Sequence, residues 1–409
     1  MSSTEHNQVN SSAFVRPETG ILFMAILGAL MAFTSLSTDI YLPAMPQMAK
    51  DLQGNVELTI TGFLIGFTIA QLIWGPISDH LGRRIPLFIG MVLFVIGSTG
   101  CAMSTSIEHI VFWRVFQALG ACTGPMLARA MIRDLFSRTE GAQKLSTLVI
   151  IMAIAPIVGP LLGGQIIIFS SWHSIFWLLC GIGTLMFVSL FWLPETLAPE
   201  KRTPASLSSA FLNYYRLLKH PAFMKYTLCV TFYYVAAYAF ITGSPAVYIS
   251  WFGIGEQYYG WLFAVNILGV VAMSFANRKL VSRIPLQKLL RIATVIAALA
   301  MIAMGVAVKA DIGGMPAIAI LVFIFFSMNG VVAASSTAAA LDEVPEIAGS
   351  ASALIGALQY GSGIVSSLLL AAFGNGTPWT MTWIMLIFTC ASAFIVAIKT
   401  KPQFRSLNV

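Results

Sequence analysis

The sequence predicts an all-α polytopic membrane protein of about twelve transmembrane helices, arranged as two halves of about six helices each. Three observations point there. Of the 409 residues, 58% are hydrophobic and only 10% are charged, whereas a soluble domain is about a quarter charged. A bilayer-spanning helix takes roughly 20 apolar residues, so about twelve would use roughly 240 positions, close to what the composition supplies. The apolar stretches, finally, fall into two sets separated by a polar gap.

Taken in order, the first set covers 21–43, 57–77, 86–104, 108–131, 145–169 and 174–193, and the second covers 226–250, 258–277, 286–308, 315–340, 348–372 and 380–398. The gap between them carries Pro194, Pro199, Pro204, Lys201 and Arg202, a composition that suits an exposed linker. The expected organisation is a six-helix bundle over 1–193, a cytoplasmic linker over 194–225 and a second six-helix bundle over 226–409. The polar N-terminal stretch has no short apolar core before a small-residue cleavage site, so the first hydrophobic run is expected to be a retained span.

Charge gives the orientation. A net charge of +7 would suit nucleic acid only if Lys and Arg gathered on one soluble face, and no such block occurs. With the N-terminus inside, about 20 of the 23 Lys and Arg fall in cytoplasmic segments, because basic residues resist translocation. Both termini and the linker are therefore expected in the cytoplasm. The loop with Asp342, Glu343 and Glu346 contributes no basic residue to that count.

Cys101, Cys122, Cys180, Cys229 and Cys390 lie in or beside apolar runs without a CxxC pair and read as small buried hydrophobes. His6, His80, His109, His173 and His220 show no metal-ligand spacing, and neither H-E-x-x-H nor a Walker A sequence occurs. No metal, no cofactor and no ATP motor is expected, nor an enzyme. Energy then comes from an ion gradient or from the substrate's own gradient.

Four segments carry the chemistry. Between spans two and three, Gly75 to Arg84 (GPISDHLGRR) reads as a tight turn permitted by Gly75 and Gly82, with Asp79 and the guanidinium groups of Arg83 and Arg84. Arg114 lies inside span four, where a charge costs at least a few kcal/mol unless paired or hydrated. A guanidinium cannot shed its proton, so Arg114 must face water or a carboxylate. In span five, Pro156 and Pro160 remove helix hydrogen bonds while Gly159, Gly163 and Gly164 allow close approach, which predicts a kinked, tightly packed helix. Asp39, the one acid placed inside a span, lies about 6 Å from the outer end of its helix, and Arg114 about 9 Å from the outer end of its own. If helices one and four are neighbours, the opposite charges meet or share water.

The loop resembles the signature loop of the major facilitator superfamily: a glycine, an acid four residues on, then Gly-Arg-Arg. Ile77 and His80 stand where that pattern usually has Leu and Arg. The resemblance implies that the loop braces the cytoplasmic gate in the outward-open state, with Asp79 pairing with Arg83 and with Asp134 at the end of span four. The equivalent second-half segment, Asn277 to Arg283, keeps positive charge but has lost the glycines and the acid. Arg114, Gln117 and Gly120 resemble the superfamily's second motif, tied in proton-coupled members to proton transfer. Gly159 to Gly164 is similar to the antiporter motif of drug-exporting facilitators, with Ala155 in place of its usual leading glycine. Asp39-Ile-Tyr-Leu-Pro-x-x-Pro, together with Leu341 to Pro345, Ala348 to Leu354 and Gln359, narrows the likeness to the bicyclomycin and chloramphenicol resistance (Bcr/CflA) family.

That likeness implies a monomeric inner-membrane antiporter that exports small amphipathic compounds, phenicol- or bicyclomycin-like, in exchange for protons by alternating access. Its partners would be the drug, protons and membrane lipid, with no nucleic acid. Helices one, four, seven and ten would line the cavity, where Tyr41, Gln117, Tyr234, Tyr238 and Asn329 are the candidate substrate contacts. Asp39 is the candidate proton carrier with Arg114 beside it, since burial and a nearby guanidinium act oppositely on a carboxyl's proton. A facilitator with a physiological cargo such as a metabolite, peptide or siderophore, and a receptor or enzyme on a transporter-like scaffold, are the alternatives.

Overall fold

The computed structural model describes residues 20–202 and 207–398. Pro204 and both chain ends, which carry expectations above, lie outside the described residues. Among the described residues, twelve helices are long and apolar enough to cross a membrane and there is no strand. In a bilayer only a helix or a closed barrel satisfies every backbone N–H and C=O, so near-continuous helix is the required outcome.

Several helices overrun their apolar stretches. Span two runs Leu58–Leu81, span four Ile107–Leu135 and span five Thr139–Phe169. Backbone hydrogen bonds carry a helix on after its side chains turn polar, which a hydropathy reading does not register. The segment read as a turn from Gly75 is therefore helical as far as Leu81, with Pro76 inside it, and only Gly82, at φ +93°, turns the chain.

Span one is broken where its proline requires. The helix Ile21–Asp39 ends, a 3-10 turn covers Leu42–Ala44, and a short helix Met45–Leu52 follows. Pro43 lacks the N–H that would bond the Asp39 carbonyl, and Pro46 suits a first helical turn. Asp39 consequently sits at the helix break. Span five, by contrast, is one unbroken helix with Pro156 and Pro160 inside it.

The gap between the two sets is more than an exposed linker. It holds a helix, Leu207–Leu218, whose Tyr214 and Leu217 are buried. Ala210, Tyr214 and Leu217 recur at helical spacing and give it one inward stripe. Lys225, assigned above to the gap, already belongs to the helix Pro221–Pro245 of span seven.

The pairings of spans one to six recur among spans seven to twelve. Span two packs on four, three on four and on six, one on four and on five; in the second set eight packs on ten, nine on ten and on twelve, seven on ten and on eleven. The two sets meet where span two packs on eleven and span five on eight. Asn55 Nδ2 donates to the Ala371 carbonyl at 3.2 Å, and the Thr61 and Ser367 hydroxyls bond at 2.7 Å. A Cβ on Gly164 would stand 2.5 Å from the Glu256 carbonyl, and one on Gly260 2.8 Å from Leu161 N. These contacts lie away from the face carrying Arg83, Arg84, Arg283 and Lys288, here called the basic face. Nearer that face, Gly75 of span two and Gly349 of span eleven have no atom within 4 Å of where a Cβ would be.

Close approach inside the first set depends on glycine. A Cβ on Gly66 of span two would stand 2.3 Å from the Val115 carbonyl of span four, so Gly66→Ala is expected to cost about 1–3 kcal/mol through overpacking. Gly181 of span six has open space around it, and Gly181→Ala should be neutral or slightly stabilising because alanine is the better helix former. Thermal unfolding of the two purified variants checks this. Equal stability would contradict the packing described.

Candidate functional site

Where span one breaks, the last carbonyls of its first helix have no partner further along the chain. Arg114 of span four fills that end. Its Nη1 donates to the Ser37 carbonyl at 3.0 Å and to Gln117 Oε1 at 2.6 Å, and its Nε to the Thr59 carbonyl at 3.4 Å. Its Cζ stands 4.4 Å from the Tyr41 ring centroid and 4.5 Å from that of Phe63. Gln117 is fixed in turn, donating from Nε2 to the Ser98 hydroxyl at 2.8 Å, and the Tyr41 hydroxyl bonds that of Thr59 at 3.1 Å. Arg114, Gln117 and Tyr41 are all fully buried. A guanidinium that keeps its charge is thus placed at the negative end of a helix dipole and between aromatic faces, both of which favour it.

Asp39 lies near that cage without joining it as an ion pair. Among the described residues the ion pairs within 4 Å are Arg83 with Asp79 and Arg83 with Asp134. Asp39 accepts one hydrogen bond, from the Thr38 hydroxyl at 2.9 Å. That hydroxyl has the Thr34 and Ser35 carbonyls as alternative acceptors at 3.2 and 3.1 Å. Asp39 is also the one carboxylate among the buried described residues. The expected meeting of Asp39 with Arg114 therefore takes the form of proximity alone: backbone carbonyls and Gln117 engage Nη1 and Nε, while the buried Nη2 has no hydrogen-bond partner among the described residues.

Span five closes over Asp39. A Cβ on Gly163 would fall 1.6 Å from the Ile40 carbonyl oxygen, and one on Gly159 would touch Asp39 Cβ at 3.4 Å. Gly164, one residue on, presses the Glu256 carbonyl of span eight. The glycines of the antiporter-like segment thus seat one helix against both the Asp39 break and the opposing set of spans.

The second charged cluster is at the basic face. Arg83 Nη1 donates to Asp79 at 2.7 Å and Nε to Asp134 at 2.8 Å, so Arg83, not Asp79 as expected, is the centre of the cluster, since two like-charged carboxylates need the guanidinium between them. Burial works against the Arg83 charge, but the hydrogen bonds and charges of Asp134 and Asp79 outweigh it and hold the guanidinium above the ordinary arginine value. Sequence reasoning missed Glu195. Its carboxylate accepts the backbone N–H of Arg83 at 2.9 Å and of Arg84 at 3.1 Å, capping span three, while the Thr196 hydroxyl donates to Asp134 at 3.1 Å. A Cβ on Gly82 would lie 2.6 Å from Glu195 Oε2, a second reason for glycine there. The signal available was a carboxylate directly after Pro194, at a span's end facing an unsatisfied helix N-terminus.

Of the proposed substrate contacts, Tyr41 and Gln117 are spent on Arg114, whereas Tyr234, Tyr238 and Asn329 gather. The rings of Tyr234 and Tyr238 are 6.3 Å apart, those of Tyr238 and Tyr360 6.4 Å, and Tyr360 stands 4.2 Å from Phe67 of span two. The amides of Asn329 and Gln359 approach the Tyr234 hydroxyl, and the buried Asn329 Oδ1 has no hydrogen-bond partner among the described residues. Asp39 lies within electrostatic range of Tyr238 and Tyr360. Tyr360 and Phe67 escaped the sequence reading, and Gln359 entered it only as part of a family likeness, because they sit on spans two and eleven, outside the four helices considered as cavity lining.

Twelve apolar helices in repeated pairings, with a buried charge cage between spans one and four and polar groups between the two sets, define a secondary-transporter class rather than an enzyme. The chain belongs to the Major Facilitator Superfamily, whose family model matches residues 26–367. It is 38% identical to an uncharacterized MFS-type transporter, YdgK, of Bacillus subtilis, over 84% of this chain and 87% of that protein. It is 29% identical to the bicyclomycin resistance protein homolog of Haemophilus influenzae, over 95% of this chain and 97% of that one. A partially occluded inward-open structure of the xylose transporter XylE from E. coli superposes with a TM-score of 0.67 at 16% identity, covering 91% of this chain and 96% of that one, and shows the shared fold. The likeness to the bicyclomycin-resistance type of facilitator read from the motifs is thereby supported, and the chain is a multi-pass membrane transporter.

Arg114→Lys keeps the charge but loses the planar fork that serves Ser37, Gln117 and Thr59 together. The variant is expected to lose on the order of 2 kcal/mol of stability. Thermal unfolding in detergent measures it, and an unchanged midpoint would show that the cage does not hold the break in span one.

Proposed function

We propose that the chain is a proton-coupled exporter of small amphipathic antimicrobial compounds, phenicol- or bicyclomycin-like, working as an antiporter by alternating access. One observation carries the reading. The buried carboxylate of Asp39 stands at a helix break with a single hydrogen bond and no ion pair, beside aromatic and amide groups contributed by the opposing spans. Because no ion pair ties Asp39 to Arg114, Asp39 can take and release a proton without dismantling the packing of spans one, two and four. The name of the Haemophilus relative favours a drug as cargo.

In this mechanism the two sets of spans are units that rock about the central groups. Tyr234, Tyr238, Tyr360 and Asn329 hold an apolar, hydrogen-bonding ligand, and Asp39 exchanges its proton when the ligand competes for the same space. Gly159, Gly163 and Gly164 keep span five sealed over the site on the outer side. The network of Asp79, Arg83, Asp134 and Glu195 fixes the ends of spans two, three, four and six at the opposite gate. The basic face is cytoplasmic, the membrane is the bacterial inner membrane, and one chain suffices.

Asp39→Asn preserves shape and hydrogen bonding but cannot exchange a proton. Everted vesicles carrying it should fold the protein yet lose proton-driven chloramphenicol accumulation by at least an order of magnitude, and undiminished accumulation would eliminate Asp39 as the carrier. The orientation has its own check. In a cysteine-free background, Ser282→Cys at the basic face should resist an impermeant thiol reagent applied to intact cells while the exposed Ile312→Cys reacts, and the reverse pattern would invert the topology.

A further inference from the structure

Pro76 lies inside the span-two helix. Four residues earlier, the Leu72 carbonyl would accept the N–H of residue 76 in an unbroken helix, and proline has none to give. A carbonyl freed in this way and buried needs another donor. The donor comes from outside the bundle: the Tyr214 hydroxyl, on the helix Leu207–Leu218 that joins the two sets of spans, bonds the Leu72 carbonyl at 3.0 Å. Tyr214 is 6% exposed and its ring is braced edge-on by Phe211 at 5.9 Å. Burial pushes the Tyr214 phenol above its ordinary value, so it keeps its proton and remains a donor.

The connecting helix does more than touch span two. It also lies against spans seven and eleven, so it bridges the two sets on the side of the molecule where span two faces span eleven. Those two spans touch at Gly356, where a Cβ would stand 3.3 Å from Gln71 Cδ, one turn before Gly75; at Gly75 and Gly349 themselves there is open space. Its other flank is apolar and open, with Phe211, Leu212, Tyr215 and Leu218 about half exposed. Bringing the basic-face ends of spans two and eleven together would displace the helix from its present seat and pull Tyr214 from the Leu72 carbonyl.

We propose that Tyr214 is a positioning residue of the transport cycle: by filling the carbonyl that Pro76 frees in span two, it straps the connecting helix across the seam between spans two and eleven and favours the state in which their basic-face ends are apart. The strap is chemically a matched pair. Without Pro76 the Leu72 carbonyl would have its own helical partner and would not need Tyr214. Without the Tyr214 hydroxyl the carbonyl would be left without its donor in this state alone, because in the closed arrangement the two groups have already parted. The loss therefore acts on the balance between states, not on folding as a whole.

This inference rests on the alternating-access reading, and one experiment separates the two. Spin labels are placed at Thr139→Cys and Ser282→Cys, at the basic-face ends of spans five and eight, in a cysteine-free background in lipid nanodiscs, and the distance distribution is measured. Two populations are expected. Tyr214→Phe should raise the ratio of short to long distances about fivefold, the worth of one buried hydrogen bond. In a Pro76→Ala background, where the alanine N–H occupies the Leu72 carbonyl, adding Tyr214→Phe should change the ratio less than twofold. Two populations that Tyr214→Phe leaves unaltered would overturn the strap while leaving alternating access standing. An equal effect of Tyr214→Phe with and without Pro76→Ala would also overturn it, since the proline-freed carbonyl would then not be the partner. A single distance under all conditions would remove both readings.

Discussion

A positive charge that cannot be given up, held in the middle of a membrane protein, is the constraint around which the first six spans are arranged. Arg114 is fully buried, and isolated in hydrocarbon it would be costly by several kcal/mol. It is accommodated because Pro43 ends the first helix of span one and leaves carbonyls to be capped. Ser37 supplies one of them, Thr59 of span two another, and Tyr41 and Phe63 supply ring faces. The same proline therefore creates both the acceptor for the arginine and the break at which Asp39 sits. Spans one, two and four are bound together at this point, and the glycines of span five lie over it.

The two charged groups at the break in span one differ in their partners. Arg114 is held through Nη1 and Nε by carbonyls, Gln117 and ring faces, with its buried Nη2 left without a hydrogen-bond partner among the described residues, whereas Asp39 has a single hydrogen bond. A direct Asp39–Arg114 ion pair would have locked the carboxylate in its charged form and tied its release to the breaking of a buried bridge, at a cost of a few kcal/mol. Proximity without contact leaves the Asp39 carboxyl outside any ion pair, as the proposed proton exchange requires. At the basic face the logic reverses. There Arg83 is locked by Asp79 and Asp134, and Glu195 caps the helix that follows it, so that region is suited to hold a shape.

Much of this was legible in the residues. Hydropathy was enough to place twelve spans, and the cost of a buried guanidinium was enough to demand partners for Arg114 and to put Asp39 at similar depth. The partners themselves were not legible. A sequence shows charges, so a carboxylate was the natural expectation, whereas the solution uses helix-end carbonyls and aromatic faces, which become partners only once the chain is folded. The segment from Gly75 read as a turn because Gly75 and Gly82 permit one, yet span two continues through Gly75 and Pro76, with Tyr214 serving the carbonyl that Pro76 leaves free. The connecting helix was hidden because Ala210, Tyr214 and Leu217 form a stripe too short to stand out against a polar background. Glu195 was hidden for the opposite reason, as a charge in a segment where charges are unremarkable. Tyr360 and Phe67 come from different halves of the sequence, and nothing local to either predicts their contact.

The central claim is that a ligand and a proton compete at Asp39. It is tested most directly by adding chloramphenicol to the purified protein in lightly buffered detergent and following proton release with a pH indicator, alongside calorimetric binding. The account predicts proton release on binding to the wild-type protein, and binding without release to Asp39→Asn. Release of the same number of protons by the variant would contradict it, as the exchanged proton would then reside elsewhere.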